Sequence, residues 1–521
     1  MRRRPDDRSL DRLTPVEQAW ARQRRRRWLL VVLLVAAALY WLVFVNDYVV
    51  AHDDPDEHFL HGSIGSEAAS GLPYWVFRAL PVLYDDHLDG QGWRHFGFLY
   101  AEPDDDLPIG FSRRIASGVE RVWLNCAVCH VGTYRLERHA APTLVLGAPA
   151  NNLRLQEFIL FLLQVGRDPG FDGERVVRAI ESDAVGGDLT ALERIVYRRL
   201  VVPAVRSALL GLNDDLAFIE RQHGWGPGRV DTFNPYKSLQ LGFPMGPEAI
   251  DEIALNGAAD YPSIWQQRPR EGMNLHWDGN NDSVAERNLS AALGAGVTPR
   301  TVDREAIGRV ADWAWELPPP RFPAPETIDR ELAAEGRDLY ARYCAACHGM
   351  AKEDEATGAL AYDYDRNRYP RLGEVERLEL IGTDRGRWAS YTEPFAAAQN
   401  MLYAGYDWRF RRFHKTAGYA NHPLDGIWAR SPYLHNGSVP TLRDLLAPAE
   451  RRPEVFWRGS DLFDLDRVGY RSDRDAAPPE KLFRYDTTLP GNGNQGHDGP
   501  RYGTHLTGAE KDAIVEYMKL L

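Results

Sequence analysis

Two segments of this chain carry the pattern Cys-x-x-Cys-His: Cys126-Ala127-Val128-Cys129-His130 and Cys344-Ala345-Ala346-Cys347-His348. They use all four cysteines of the 521 residues. Two thiols at this spacing can each add to a vinyl group of one porphyrin, and the adjacent histidine is then held under the iron as an axial ligand. The spacing points to two covalently bound haem c groups. Cys126, Cys129, Cys344 and Cys347 would be the attachment points, and His130 and His348 the iron ligands. Paired cysteines have three other readings. A four-cysteine zinc site needs no histidine after each pair and usually places its pairs closer in sequence. A thioredoxin-like pair sits in a βαβ context that neither copy shows. Structural disulfides are the third. Two copies, with no stray cysteine, favour the haem.

Something must place these groups, and the N-terminus suggests where. Trp28 to Val45 is an uncharged, almost wholly apolar run, preceded by Arg24-Arg25-Arg26-Arg27 and by Arg2 to Arg4. At the short end of a bilayer-crossing length, it predicts a transmembrane anchor over 28–46. The basic tail, 1–27, would be cytoplasmic by the positive-inside rule. Everything after Asp47 would then be periplasmic, on the outer face of the bacterial inner membrane where covalent haem attachment occurs. A cleaved signal peptide is the rival, but no small-x-small site follows the run. The net charge is −12, and the exported part would be more acidic still. That disfavours nucleic acid as a partner and suits a small basic electron carrier drawn in by electrostatic steering.

The two motifs lie far apart, as if one haem belonged to each domain. The stretch Leu317-Pro318-Pro319-Pro320-Arg321-Phe322-Pro323-Ala324-Pro325 reads as a stiff connector. It divides an enlarged N-terminal haem domain, 47–320, from a C-terminal cytochrome c domain, 321–521. Glu326 to Tyr343 is predicted to be a helix running into the second motif. A closing helix should start at Thr507, with Glu510 as capping-box partner, and present Ile514, Tyr517, Met518 and Leu521 to the earlier helix. Helical stretches are expected over Asn151 to Gly166 and Arg175 to Leu209, and loops between Trp225 and Asn281. The expected fold is mainly α: two cytochrome c-like haem domains with long ordered loops, after an N-terminal transmembrane helix.

Two further segments carry a resemblance. Trp428 to Leu442, containing Pro432-Tyr433-Leu434-His435-Asn436-Gly437-Ser438, resembles the "PYxHDGS…TL" segment of bacterial di-haem cytochrome c peroxidases. His276-Trp277-Asp278-Gly279-Asn280-Asn281-Asp282-Ser283-Val284-Ala285-Glu286-Arg287 is similar to their "WDGR…SLEEQ" segment. Within that superfamily, Gly226 to Asp231, Gly426-Ile427-Trp428, Tyr433 to Leu442, and Asn494-Gln495-Gly496-His497 with Tyr502-Gly503-Thr504 look closest to the rubber oxygenase-like di-haem cytochromes.

The resemblance implies roles. The methionine that usually ligates the second haem is replaced here by Ala447-Pro448-Ala449. A late histidine, His497, is implied as the sixth ligand of the second iron; His435 is the runner-up and Met401 the third choice. Glu286 aligns with the peroxidase glutamate that moves a proton between the oxygens of peroxide. It also fits the plain reading of a capping box after Ser283. Trp277 is placed on the distal side of the first haem, and Trp277, Trp313 and Trp315 lie between the motifs where any could bridge the irons. The implied function is a peroxidase-like oxidoreductase. A donor such as a small cytochrome or cupredoxin reduces the C-terminal haem, and peroxide is reduced at the N-terminal haem. The alternatives are a dioxygenase that takes dioxygen and an apolar unsaturated substrate, and a non-enzymatic di-haem electron carrier. Some relatives hold calcium between domains; with no EF-hand loop present, scattered carboxylates and carbonyls would have to cage it.

Overall fold

The computed structural model describes residues 14–41, 47–353, 360–478 and 481–521. The first helix, Pro15–Tyr40, is capped by Thr14 and Glu17 in a reciprocal capping box. It contains Arg22 and the four arginines 24–27, so only residues 28–40 of it form the apolar part. A bilayer needs about 20 consecutive apolar residues, and no described helix is long and apolar enough to cross a membrane. This overturns the transmembrane anchor over 28–46, and with it the single-pass inner-membrane topology of cytoplasmic tail and periplasmic haem domains. Residues 42–46 of the apolar run lie outside the described residues.

The mainly α expectation is also corrected. The chain is 44% helical with 12% strand, and the described strands form seven small antiparallel sheets. The largest runs in the order Tyr48–Val49, Phe111–Ala116, Val119–Leu124, Leu72–Pro73. Its long hairpin pairs Phe111 with Leu124 and Ala116 with Val119. Phe111, Val122 and Leu124 face inward. They meet Phe158, Phe161 and Leu162 of Leu155–Arg167 in an aromatic-rich core. The sheets went unread because most strands are two to four residues long, too short for an alternating pattern to register.

A second core belongs to the C-terminal half. Helix Arg330–Tyr343 is capped by Asp329 and packs on Gly508–Met518, which Thr507 and Glu510 cap as expected. Tyr340, Ile514, Tyr517 and Met518 are buried there. Gly336 marks the crossing: a Cβ on it would lie 1.8 Å from the Ala513 carbonyl oxygen. The Pro-rich stretch is packed rather than free, since Phe322 and Ala324 join this core and Trp428 Nε1 donates to the Pro320 carbonyl at 2.8 Å.

The halves interlock. Arg135 pairs with Asp461, and Tyr470 Oη donates to the Thr133 carbonyl at 2.9 Å. Both Nη atoms of the buried Arg458 reach Asp260 Oδ1 at 3.0 Å. The buried Arg229 donates to Asn492 Oδ1 at 2.9 Å and to the Gly491 carbonyl. Unpaired charges buried this deeply would be costly, so these contacts hold the two halves in one register.

Candidate functional site

The second motif begins where helix Arg330–Tyr343 ends. Cys344 N–H donates to the Tyr340 carbonyl at 2.8 Å, a short turn Ala345–His348 follows, and Gly349 at φ 73° takes the chain away. His348 Nδ1 meets the His422 carbonyl at 2.7 Å. That contact fixes the ring and leaves Nε2 without a protein partner, the arrangement expected of a metal-ligating histidine. Cys344, Cys347 and His348 line a cavity of about 180 Å³. Leu424, Ile427, Leu442, Leu445 and Met518 supply its apolar wall. Burial pushes the Cys344 thiol up to about 12, so it is protonated rather than reactive at neutral pH.

His497 faces His348 across this cavity. The two rings are 6.1 Å apart between centres and 25° from parallel. One metal ion bonded to both rings through metal–nitrogen bonds of about 2 Å would separate the ring centres by about 6 Å. Burial, and then the neighbouring His348, hold His497 down at about 3, so it is a neutral imidazole able to ligate. Its Nδ1 is buried without a partner. The residue stands at φ 58° in a loop gripped from two sides. Arg452 donates to the carbonyls of Asn494, Gly496 and His497. Asn436 Nδ2 donates to those of Gly491 and Gly493, and Ser438 Oγ to Gly493. The residues present therefore fit a haem c held by two thioethers between two histidines.

His435 lines the same cavity but is otherwise engaged. Its Nε2 lies 3.2 Å from Tyr419 Oη, its Nδ1 lies 3.5 Å from Thr383 Oγ1, and its ring stacks on Tyr419 at 4.2 Å. Met401 is 65% exposed, on the outer surface, and does not line the cavity.

The first motif follows the hairpin. Asn125 caps the turn Cys126–Val128 through Ala127 N–H, and its Nδ2 donates to the carbonyls of Leu60 and Gly62. His130 Nδ1 meets the Pro262 carbonyl at 2.9 Å, repeating the pattern at His348. Burial and the nearby Arg287 hold His130 down at about 4. A cavity of about 50 Å³ adjoins it, lined by Pro262, Ser263, His276, Trp277, Arg287 and others; Cys126 and Cys129 do not line it. Burial raises these two thiols to about 11 and about 12.

Trp277, His422 and Arg430 line both cavities. They form the wall between them. The Trp277 indole donates to the Asp260 carbonyl at 2.8 Å, and its backbone carbonyl accepts from Ala420 N–H at 2.9 Å. His422 Nε2 meets the His276 carbonyl at 2.8 Å and its ring lies edge-on to Trp277. Trp313, by contrast, stacks on Phe59 and donates to Asp56. Trp315 lines neither cavity.

Glu286 is placed away from both cavities. Its carboxylate accepts from the backbone N–H groups of Arg411 at 3.0 Å and Arg412 at 3.1 Å, and from Asn281 Nδ2 at 3.1 Å. The Ser283 hydroxyl caps the helix below it. Sequence reasoning passed over His276, His422, Arg270, Arg287, Arg430 and Arg452. His276, Arg287 and Arg430 stood in recognised motifs; the others are joined to the site by chain segments far apart in sequence. Among the described residues, no group of three or more His, Cys, Asp and Glu side chains is placed to hold a metal ion such as calcium.

A family model described as RoxA-like, cytochrome c-like matches residues 418–458. That segment supplies Tyr419, His422, Arg430 and His435 to the larger cavity, and the match makes it a cytochrome c-like, haem-binding segment. The chain is also similar to two proteins of Sinorhizobium fredii (strain NBRC 101917 / NGR234). It is 26% identical to the uncharacterized protein y4iJ over 99% of this chain and 94% of that one. It is 32% identical to the uncharacterized protein y4iM over 50% of this chain and 64% of that one.

Proposed function

We propose that this haem-binding protein is a di-haem oxidoreductase of the peroxidase type, taking electrons at the C-terminal site and using them at the N-terminal one. The observation that carries this reading is the common wall of Trp277, His422 and Arg430 between the two cavities. The bound haems would supply one-electron transfer and, at the N-terminal iron, a position for peroxide. The residues divide the work. His348 and His497 close both faces of the C-terminal site, which suits electron relay and leaves no room for substrate. The N-terminal cavity carries His276, Ser263 and arginines on its walls, which suits a small polar oxidant.

Proton handling in this reading falls to His276 rather than Glu286. His276 Nδ1 is held by Asn280 Oδ1 at 2.5 Å, and Nε2 has no protein partner. Burial holds the ring at about 3 despite that bond, so it is a neutral base at pH 7. A base within the cavity can accept a proton from the bound oxidant and return it to the leaving oxygen. The Glu286 carboxylate, with both oxygens satisfied by a loop, has no comparable access. A small cytochrome or cupredoxin is the proposed donor, suited to the acidic balance of the chain.

The dioxygenase reading is the second, and one observation favours it: the segment matched by the RoxA-like model, 418–458, spans two of the rubber oxygenase-like phrases, Gly426-Ile427-Trp428 and Tyr433 to Leu442. One set of measurements on the purified protein decides. Two covalent haems by intact mass, with peroxide-dependent oxidation of a reduced cytochrome, support the peroxidase. A stable oxygen adduct with cleavage of an unsaturated hydrocarbon replaces it by the oxygenase. Two low-spin haems inert to cyanide and peroxide leave only electron carriage. The peroxidase activity should survive Glu286→Gln and fall at least tenfold in His276→Gln, in line with the roughly 10²–10⁴-fold reach of general acid–base catalysis.

A further inference from the structure

The smaller cavity has a charge problem that the chain does not solve by itself. Arg270, Arg287 and Arg430 all line it. Arg270 and Arg430 share one carboxylate, the fully buried Asp425, at 2.5 and 3.0 Å. The acid on the cavity wall, Asp260, is taken by Arg458. Arg287 has no ion pair among the described residues; its guanidinium donates to the neutral Asn288 Oδ1 at 3.1 Å. Two of these three guanidiniums thus share one carboxylate, and the third has none within ion-pair distance among the described residues. Arg430 Nε is buried with no partner at all, with only the Trp265 ring, 5.1 Å away, as partial compensation. Desolvation, and then the neighbouring Arg270, lower Arg287 to about 10, with the Glu271 carboxylate offsetting only part of it. A buried cation without a partner is strongly unfavourable, so an anion belongs here.

The geometry points to Arg287, with Arg430 and Arg270, as a carboxylate-binding site that receives haem propionates in the wall between the two haem positions. Arginine is the side chain suited to it, since its planar fork matches a carboxylate bidentately. The location agrees: the cavity adjoins His130 through Pro262, and Arg430 also reaches the larger cavity. This inference rests on the haem-binding reading and adds what the cavity between the sites is for. A small soluble carboxylate has the same chemistry and is the other possible source of the charge.

The test uses the full holoprotein with Arg287→Gln and Arg287→Lys. Intact mass is read first: haem missing from the wild type sinks the haem reading itself, separately from this proposal. With both haems present, losing the guanidinium charge beside a propionate should lower one haem's midpoint potential. A tenfold change in the oxidised-to-reduced ratio, about 59 mV for a one-electron couple, is the expected size in Arg287→Gln, with partial recovery in Arg287→Lys. Acetate titrated into the wild type separates the sources. No saturable spectral change identifies propionates as the occupants. A saturable change that Arg287→Gln abolishes assigns the site to a free carboxylate and overturns the propionate assignment. Unmoved potentials in Arg287→Gln, with no acetate response, overturn the site altogether.

Discussion

At the scale of single residues, two side chains with similar claims in the sequence end in different situations. His497 and His435 both sit in recognisable loops. Only His497 is left with a ring free to bond a metal, because Tyr419 and Thr383 engage both nitrogens of His435. Replacing His497 by Gly should therefore open the sixth position of the C-terminal haem. Added imidazole should then bind in an optical titration, whereas the wild type and His435→Gln should not respond. An imidazole-insensitive His497→Gly variant would remove His497 from the iron. Glu286 belongs to a different class. Its carboxylate ties down the N–H groups of Arg411 and Arg412, and hydrogen bonds to a charged group contribute about 1.5–3 kcal/mol each when well shielded. Partly exposed as it is, Glu286→Ala should lower stability by about 1–2 kcal/mol while leaving the haem absorption unchanged. A shifted spectrum in that variant would return Glu286 to the haem environment.

At the scale of elements, the C-terminal site depends on two supports. One is the crossing of Arg330–Tyr343 with Gly508–Met518, which aims the second motif at its cavity. Alanine is the better helix former than glycine by about 1 kcal/mol, so Gly336→Ala would stabilise an isolated helix. Here the new Cβ meets a backbone carbonyl at 1.8 Å. The helices must part, and overpacking of this kind costs about 1–3 kcal/mol. We expect a net loss of about 1–2 kcal/mol in Gly336→Ala, read as an earlier thermal transition of the holoprotein; an unchanged or later transition would mean the crossing yields freely. The other support is the grip of Asn436, Ser438 and Arg452 on the loop carrying His497. It gives the Asn-Gly-Ser stretch after His435 a job: its side chains hold a distant loop.

At the scale of the whole molecule, pH should act through histidines buried as neutral rings in the wall between the sites. Burial holds both His276 and His422 at about 3, against about 6.5 in the unfolded chain. Between these values the unfolded state binds more protons, so stability is fully present above about pH 6.5 and is lost as pH falls toward 3. Each ring contributes a slope of at most about 1.4 kcal/mol per pH unit in that window. Asp260, raised by burial to about 6 despite Arg458, works in the opposite sense and offsets part of it. Denaturation midpoints measured from pH 7 to 4.5 should fall, and should fall less steeply in His422→Gln. An identical slope in that variant would show that His422 is not a source of the acid sensitivity.

The sequence by itself pointed to the chemistry of the two Cys-x-x-Cys-His segments, because thioether attachment and iron ligation demand particular residue types at a contiguous spacing. It also determined the closing helix and its caps, since capping is a contact between residues three apart. His497 was legible only through resemblance, and its opposition to His348 came from folding, which brings residues 149 positions apart in sequence to 6.1 Å. Tertiary structure alone decided that Trp277, His422 and Arg430 form a common wall, that Glu286 serves a loop, and that three arginines share one cavity. Those relations depend on which distant segments pack together, and local periodicity carries no record of that. The anchor failed for a local reason: the apolar residues looked sufficient as a run, but the described helix spends its first half on arginines.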